Sequence, residues 1–104
     1  MNVMKMMKQA QTMQKDMERI QAELALKRVD FSSGGGMVTA TASGDGGIVG
    51  IKIDPRVIVV SDKDLLEDMV MAAVDGAIKK SREMAAADMQ KVTAGMSMPG
   101  LFGH

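Results

Sequence analysis

Four cations near the start of the chain, Lys5, Lys8, Lys15 and Arg19, are the residues whose types and spacing could do chemistry. They lie in a segment free of Gly and Pro. At ~100° per residue they fall on one side of a helix. Aligned ammonium and guanidinium groups at that spacing can track a phosphate backbone. The same pattern can also do no more than solvate an exposed helix face. Lys27/Arg28 and Lys79/Lys80/Arg82 are smaller clusters, ambiguous in the same way, and a dimer would double every such patch.

Reactive constellations are not found elsewhere. The single His is His104, with no partner at a fixed spacing, and Cys is absent, which excludes disulfides, thiolate metal sites and Cys nucleophiles. The acid pairs Asp62/Asp64 and Glu67/Asp68 sit where a helix begins, and capping and solvation account for them. Gly34-Gly35-Gly36 lacks the Lys-Ser/Thr that completes a phosphate loop. Gly44-Asp45-Gly46-Gly47 precedes a strand and not a helix N-terminus. No enzyme activity, cofactor, metal or small-molecule substrate is expected.

The elements that must position the cations follow from periodicity. Residues 2 to about 28 read as one helix, in which Met6, Ala10, Met13, Met17, Ile20 and Leu24 fall within about 80° at ~100° per residue. That is a coiled-coil-like seam, narrower than the face of a buried globular helix. Residues 29–33 are a short strand. Two alternating runs follow around a Gly/Asp turn, the signature of a hairpin. Val38, Ala40 and Ala42 share one face of the first run, and Val49, Ile51 and Ile53 one face of the second. Asp54-Pro55 suits an N-cap followed by Pro at the first helical position. The β-branched run Val57–Val60 argues against a long helix there.

Ser61, with Asp64 three residues on, is expected to open a second long helix reaching about Val92. Leu65, Leu66, Met69, Val70, Ala73 and Ala77 form its apolar face, and its last turns are expected to be less buried than its first. Residues 1–93 thus form one domain, and 94–104 read as a flexible tail. The fold class is α/β (α+β): long helix, three-stranded antiparallel sheet, short turn or helix, long helix. Two helices of this length have more apolar stripe than so small a sheet can cover. Either the helices pair with each other along their length or a second chain covers them, and a homodimer that hides the stripes and the sheet edges is the expectation.

Composition bounds the function. The chain has 13 basic and 13 acidic residues, 13 Met, and aromatics at only 2%. A general polyanion binder is usually strongly basic, so any anion site must arise from local segregation of charge. Residues 1–30 carry six Lys/Arg against four Asp/Glu, and residues 62–104 five against seven. No uncharged apolar run of about 18 residues exists, and Lys5, Lys8, Lys15 and Asp16 interrupt anything resembling a signal sequence. No membrane association is expected, and the chain reads as soluble and intracellular.

The order of the pieces resembles the YbaB/EbfC family of bacterial nucleoid-associated proteins. The resemblance rests on the Met-rich opening helix, Gly34-Gly35-Gly36 before the hairpin, Ile51-Lys52-Ile53-Asp54-Pro55, and Asp64-Leu65-Leu66-Glu67-Asp68-Met69 with Ala72-Ala73 behind it. Lys80, Glu83, Met84 and Pro99-Gly100-Leu101-Phe102 complete it; Asp75-Gly76 is a departure where such proteins often carry Asn. The resemblance implies a homodimer with helices projecting like tweezers. It also implies a non-catalytic protein of the bacterial cytoplasm and nucleoid that binds duplex DNA and influences gene expression. No family binding motif transfers residue by residue. The candidate phosphate contacts are therefore Lys5, Lys8, Lys15 and Arg19, then Lys27, Arg28, Lys79 and Arg82. The competing reading is a dimeric scaffold that binds a protein partner through its Met-rich helices.

Overall fold

The computed structural model describes residues 2–96. Helix α1 spans Val3–Leu26, strands β1 (Arg28–Ser33), β2 (Val38–Ser43) and β3 (Ile48–Ile53) follow, and helix α2 spans Lys63–Met96. The strands form one antiparallel sheet in the order β1-β2-β3. Short 3-10 turns at Gly34–Gly36, Pro55–Val57 and Val60–Asp62 link the elements.

Local chemistry sets most boundaries. Asn2 caps α1 by accepting from the Lys5 N–H at 3.1 Å, as a short polar side chain at an N-cap should. The helix ends earlier than its pattern suggests, so Arg28 belongs to β1. There the Gly44 N–H donates to the Lys27 carbonyl at 3.1 Å and to the Leu24 carbonyl at 2.9 Å, which the Lys27 N–H also reaches at 3.0 Å, so the carbonyls at the helix end are paired. The Gly34–Gly36 turn has φ of 60°, 67° and 93°, values that only glycine adopts without strain. Asp54 accepts from the Arg56 N–H ahead of Pro55, as its sequence predicts. Ser61 does not open α2: it lies inside the Val60–Asp62 turn, and the helix begins at Lys63. α2 also runs past Val92 to Met96. The expectation of a tail concerns residues that lie largely outside those described.

The core is thin and built from small residues. Val38, Ala40 and Ala42 of β2 are buried against Ala73 and Ala77 of α2, with Val29, Val57, Leu66, Met69, Val70 and Val74 around them. Alanines on both surfaces let the helix axis approach the sheet closely. Leu65, expected on the apolar face of α2, is exposed: at ~100° per residue it lies at the margin of the stripe that Leu66, Met69, Val70, Ala73 and Ala77 turn to the core. Beyond the sheet, Ile20 and Leu24 of α1 pack on Val92 of α2, flanked by Met84, Ala85 and Met89. Asp88 and Val92 are therefore buried, contrary to the expectation that the last turns are less covered: α1 is what covers them. Ser81, also buried, donates to the Ser43 carbonyl at 2.7 Å and pins α2 to the end of β2.

Strand β3 departs from its pattern. Ile53 pairs with Val38, Ile51 with Ala40 and Gly50 with Thr41, but Ala42 pairs with Ile48. Val49 is thus the extra residue of a bulge. The bulge replaces Val49 by Ile48 in the row shared with Ile51 and Ile53. That row lies on the same side of the sheet as the buried face of β2, yet its members remain 37%, 45% and 36% exposed. Helix α2 covers β1 and β2 and leaves β3 outside. The shared face expected for Val49, Ile51 and Ile53 is thus corrected to Ile48, Ile51 and Ile53, and it is not buried within this chain.

The molecule is long: its principal extents are 70 × 25 × 16 Å and its radius of gyration 20.0 Å, against about 13 Å for a compact chain of this length. The elongation comes from α1 and α2, which leave the same end of the sheet side by side.

Candidate nucleic-acid interface

From Asn2 through Thr12 every residue of α1 is exposed. Among the described residues α1 is buried only in its C-terminal half, at Ile20 and Leu24, so residues 3–12, about 15 Å at ~1.5 Å per residue, form a free arm. Lys5, Lys8 and Lys15 stand on or next to this arm. The first carboxylate along it is Asp16.

Ion pairing sorts the thirteen cations. Arg19 meets Asp16 at 3.7 Å and Glu23 at 3.2 Å. Lys27 Nζ reaches Asp88 Oδ2 at 2.6 Å, and Lys91 approaches the same carboxylate at 3.5 Å. Arg56 holds Asp54 at 2.8 Å and Lys63 holds Glu67 at 3.1 Å. The Arg28 guanidinium donates to the carbonyls of Ala25 at 2.8 Å and Lys27 at 3.0 Å. Lys80 Nζ donates to the Asp30 carbonyl at 3.0 Å. Among the described residues this leaves Lys5, Lys8, Lys15, Lys52, Lys79 and Arg82 without a carboxylate or carbonyl partner.

The predicted site residues therefore divide. Lys5, Lys8 and Lys15 are free, while Arg19, aligned with them in sequence, is held between two acids. Lys27 and Arg28 are consumed at the end of α1: one fastens α1 to α2, the other closes the helix terminus. Lys79 and Arg82 are exposed on α2 beside the sheet, on the other side of the α1–α2 junction from the arm. Lys52 of β3 is a free cation that the sequence pattern did not single out. Its signal was present, as the one charged residue in an otherwise apolar strand pattern, but a strand position reads as a solvent-facing alternate.

Acidic charge collects elsewhere. Asp62, Asp64, Glu67 and Asp68 crowd the start of α2, where Lys63 is the one cation. Two carboxylates are tuned by their cationic neighbours. The side-chain hydrogen bond from Arg56 lowers Asp54 to about 2, and the Lys27 ammonium lowers Asp88. Asp45 is lowered too, first by the Ser43 hydroxyl bonded to it. These are stable anions with structural partners, and none is poised to exchange protons near neutrality. Among the described residues no group of three or more His, Cys, Asp or Glu could hold a metal ion, and no helix is long and apolar enough to cross a membrane.

Known proteins resemble this chain in sequence and in fold. The chain is 48% identical over 101 residues to a nucleoid-associated protein of Alkaliphilus metalliredigens, covering 97% of this chain and 89% of the relative. A nucleoid-associated protein of Caldanaerobacter subterraneus is 46% identical over 101 residues, at 97% and 91% coverage. One from Pelotomaculum thermopropionicum is 44% identical, at 97% and 96%. In fold, the chain superposes on the crystal structure of an uncharacterized Helicobacter pylori protein with a TM-score of 0.74 at 22% identity, covering 92% of this chain and 97% of that one. The helix–sheet–helix order, the projecting α1 and the match of residues 1–96 to one family together place this chain in the YbaB/EbfC DNA-binding family.

Proposed function

We propose that the protein binds duplex DNA as a homodimer, mainly through phosphate contacts, and acts in the bacterial nucleoid on DNA organisation and gene expression without catalysing a reaction. The observation that carries this reading is the free arm of α1, with Lys5, Lys8 and Lys15 unpaired and no carboxylate before Asp16. A net-neutral chain can bind a polyanion when its acids are tied up or set apart, and here four of them crowd the start of α2. Phosphate contacts position a protein without reading sequence, so little sequence preference is expected from the lysines alone.

The row Ile48, Ile51 and Ile53 supports the dimer. It continues the buried face of β2 beyond the helix that covers it, and burying each Ile fully is worth about 1.5–3 kcal/mol. A second copy laid on this face would bury the row and leave one arm projecting from each protomer.

A second reading has its own support. Met4, Met6, Met7 and Met17 are exposed along α1, and thioether-rich helices suit adaptable protein interfaces. Salt separates the two. Titration of a fluorescent random-sequence duplex, read by anisotropy at low and moderate salt, should give binding that weakens steeply with salt. Absence of binding at low salt would transfer the function to a protein partner.

A further inference from the structure

Phe31 is the one aromatic ring among the described residues, and it is not used as core. It lies on β1, opposite Ala40 and hence on the side of the sheet that faces α2, yet it is 41% exposed. Its inner side rests on Gly76 of α2, where even a methyl group would overlap ring carbons. The ring is thereby set flat against the helix backbone at the open edge of the sheet. It forms the floor of a groove of about 420 Å³ lined by Gly76, Lys79, Lys80 and Glu83. Lys80 is fixed there by its bond to the Asp30 carbonyl. Lys79 has no carboxylate or carbonyl partner among the described residues.

A fixed apolar ring, a free ammonium beside it and a carboxylate at the rim suit the face of a base, a phosphate and the hydrogen-bonding edge of the same base. We propose that this groove holds an unpaired nucleotide of single-stranded DNA, with its base stacked on Phe31 and its phosphate at Lys79. Glu83 is placed to accept a hydrogen bond from a base amino or imino group. The bases of a duplex are stacked on each other and cannot offer a face to Phe31, whereas an unpaired base can, whatever its identity. The inference rests on the reading of the protein as DNA-binding and adds a second mode to it: lysines of the α1 arm for the duplex, and the Phe31 groove for frayed or melted strands.

The full chain contains no Trp, so Phe31→Trp supplies both a stacking ring and a single fluorophore. Titrating it with oligo-dT should quench that fluorescence. In anisotropy, Phe31→Leu, which keeps apolar cover over Gly76, should bind oligo-dT about tenfold or more weakly than the unaltered protein, the factor worth one stacked base. A random duplex measured in parallel should bind both alike. Oligo-dT binding that Phe31→Leu leaves unchanged, or a Phe31→Trp signal that does not respond, overturns the proposal while duplex binding still stands. Quenching by free thymidine monophosphate as strong as by the oligomer overturns the assignment to a strand. Loss of duplex binding alone, with Phe31-dependent oligo-dT binding retained, would remove the duplex reading and leave this one. Should Phe31→Leu prove poorly folded by circular dichroism, the Trp titration decides.

Discussion

A lysine favours phosphate only to the extent that it is not already neutralised, and at the scale of single residues that distinction reorders the cations of α1. Lys8 and Arg19 look equivalent on a helical wheel, but Arg19 lies between Asp16 and Glu23. Replacing Lys5, Lys8 or Lys15 by Ala should lower the salt dependence of duplex binding by about one unit of slope for each phosphate left without its cation. Arg19→Ala should lower it by less. Equal effects from all four would show that the Arg19 pairs open on DNA. Asp54 gives a second test at this scale. Its carboxyl is lowered to about 2 by the Arg56 side chain, from an ordinary value of about 3.9. A lowered acid contributes stability that is fully present above the unfolded value and lost as pH falls through the folded one. The contribution of this exposed pair should therefore fade between about pH 4 and 2, and carbon-detected NMR of the Asp54 carboxyl should give a midpoint near 2. A midpoint near 4 would mean that the Arg56 contact does not persist in solution.

Two small contacts decide how the helices sit on the rest of the fold. α1 depends on Ile20 and Leu24 against Val92, together with the Lys27–Asp88 pair. Leu24→Ala should cost about 2–5 kcal/mol, the usual range for a buried Leu, measured by urea unfolding. Because the sheet core with α2 is separate, α1 should loosen first and helicity should fall before the remaining structure. A single unshifted transition would show that the second cluster adds little. Where α2 crosses β1, Gly76 decides the fit. Helix propensity alone favours Gly76→Ala by about 1 kcal/mol, but the new methyl displaces the Phe31 ring. The substitution should stabilise the protein in a Phe31→Ala background and fail to do so with Phe31 present. Identical gains in both backgrounds would remove Gly76 as the seat of the ring.

For the whole molecule, shape and charge separation matter more than net charge. The 70 Å long axis lets basic and acidic groups lie more than a Debye length, about 8 Å at physiological ionic strength, apart. On the proposed reading, the α1 arm therefore meets a duplex without strong opposition from the acids at the start of α2. The uncovered row of β3 gives the matching prediction for assembly. Ile51→Asp should convert the proposed dimer to a folded monomer in light scattering coupled to size exclusion, with circular dichroism retained. It should also weaken duplex binding, because contacts linked in one dimer act together. Loss of the fold itself would instead mean that Ile51 is needed for the core of a single chain.

Periodicity and turn chemistry determine the elements here. The uninterrupted helical patterns, the Gly/Asp hairpin and Asp54-Pro55 are local signals, and local steric and hydrogen-bonding preferences act over just those distances. The alternation that buries Val38, Ala40 and Ala42 was legible for the same reason. The fate of each apolar or charged side chain depended instead on contacts distant in sequence. A bulge at Val49 changed which residue joins the face of Ile51 and Ile53, and the placement of α2 left that face open. Asp88, 61 residues away, took Lys27 out of the free cations. Gly76 gave Phe31 its flat support from 45 positions further along the chain. A local pattern ranks side chains by type; burial and pairing are set by whatever the tertiary fold brings opposite them.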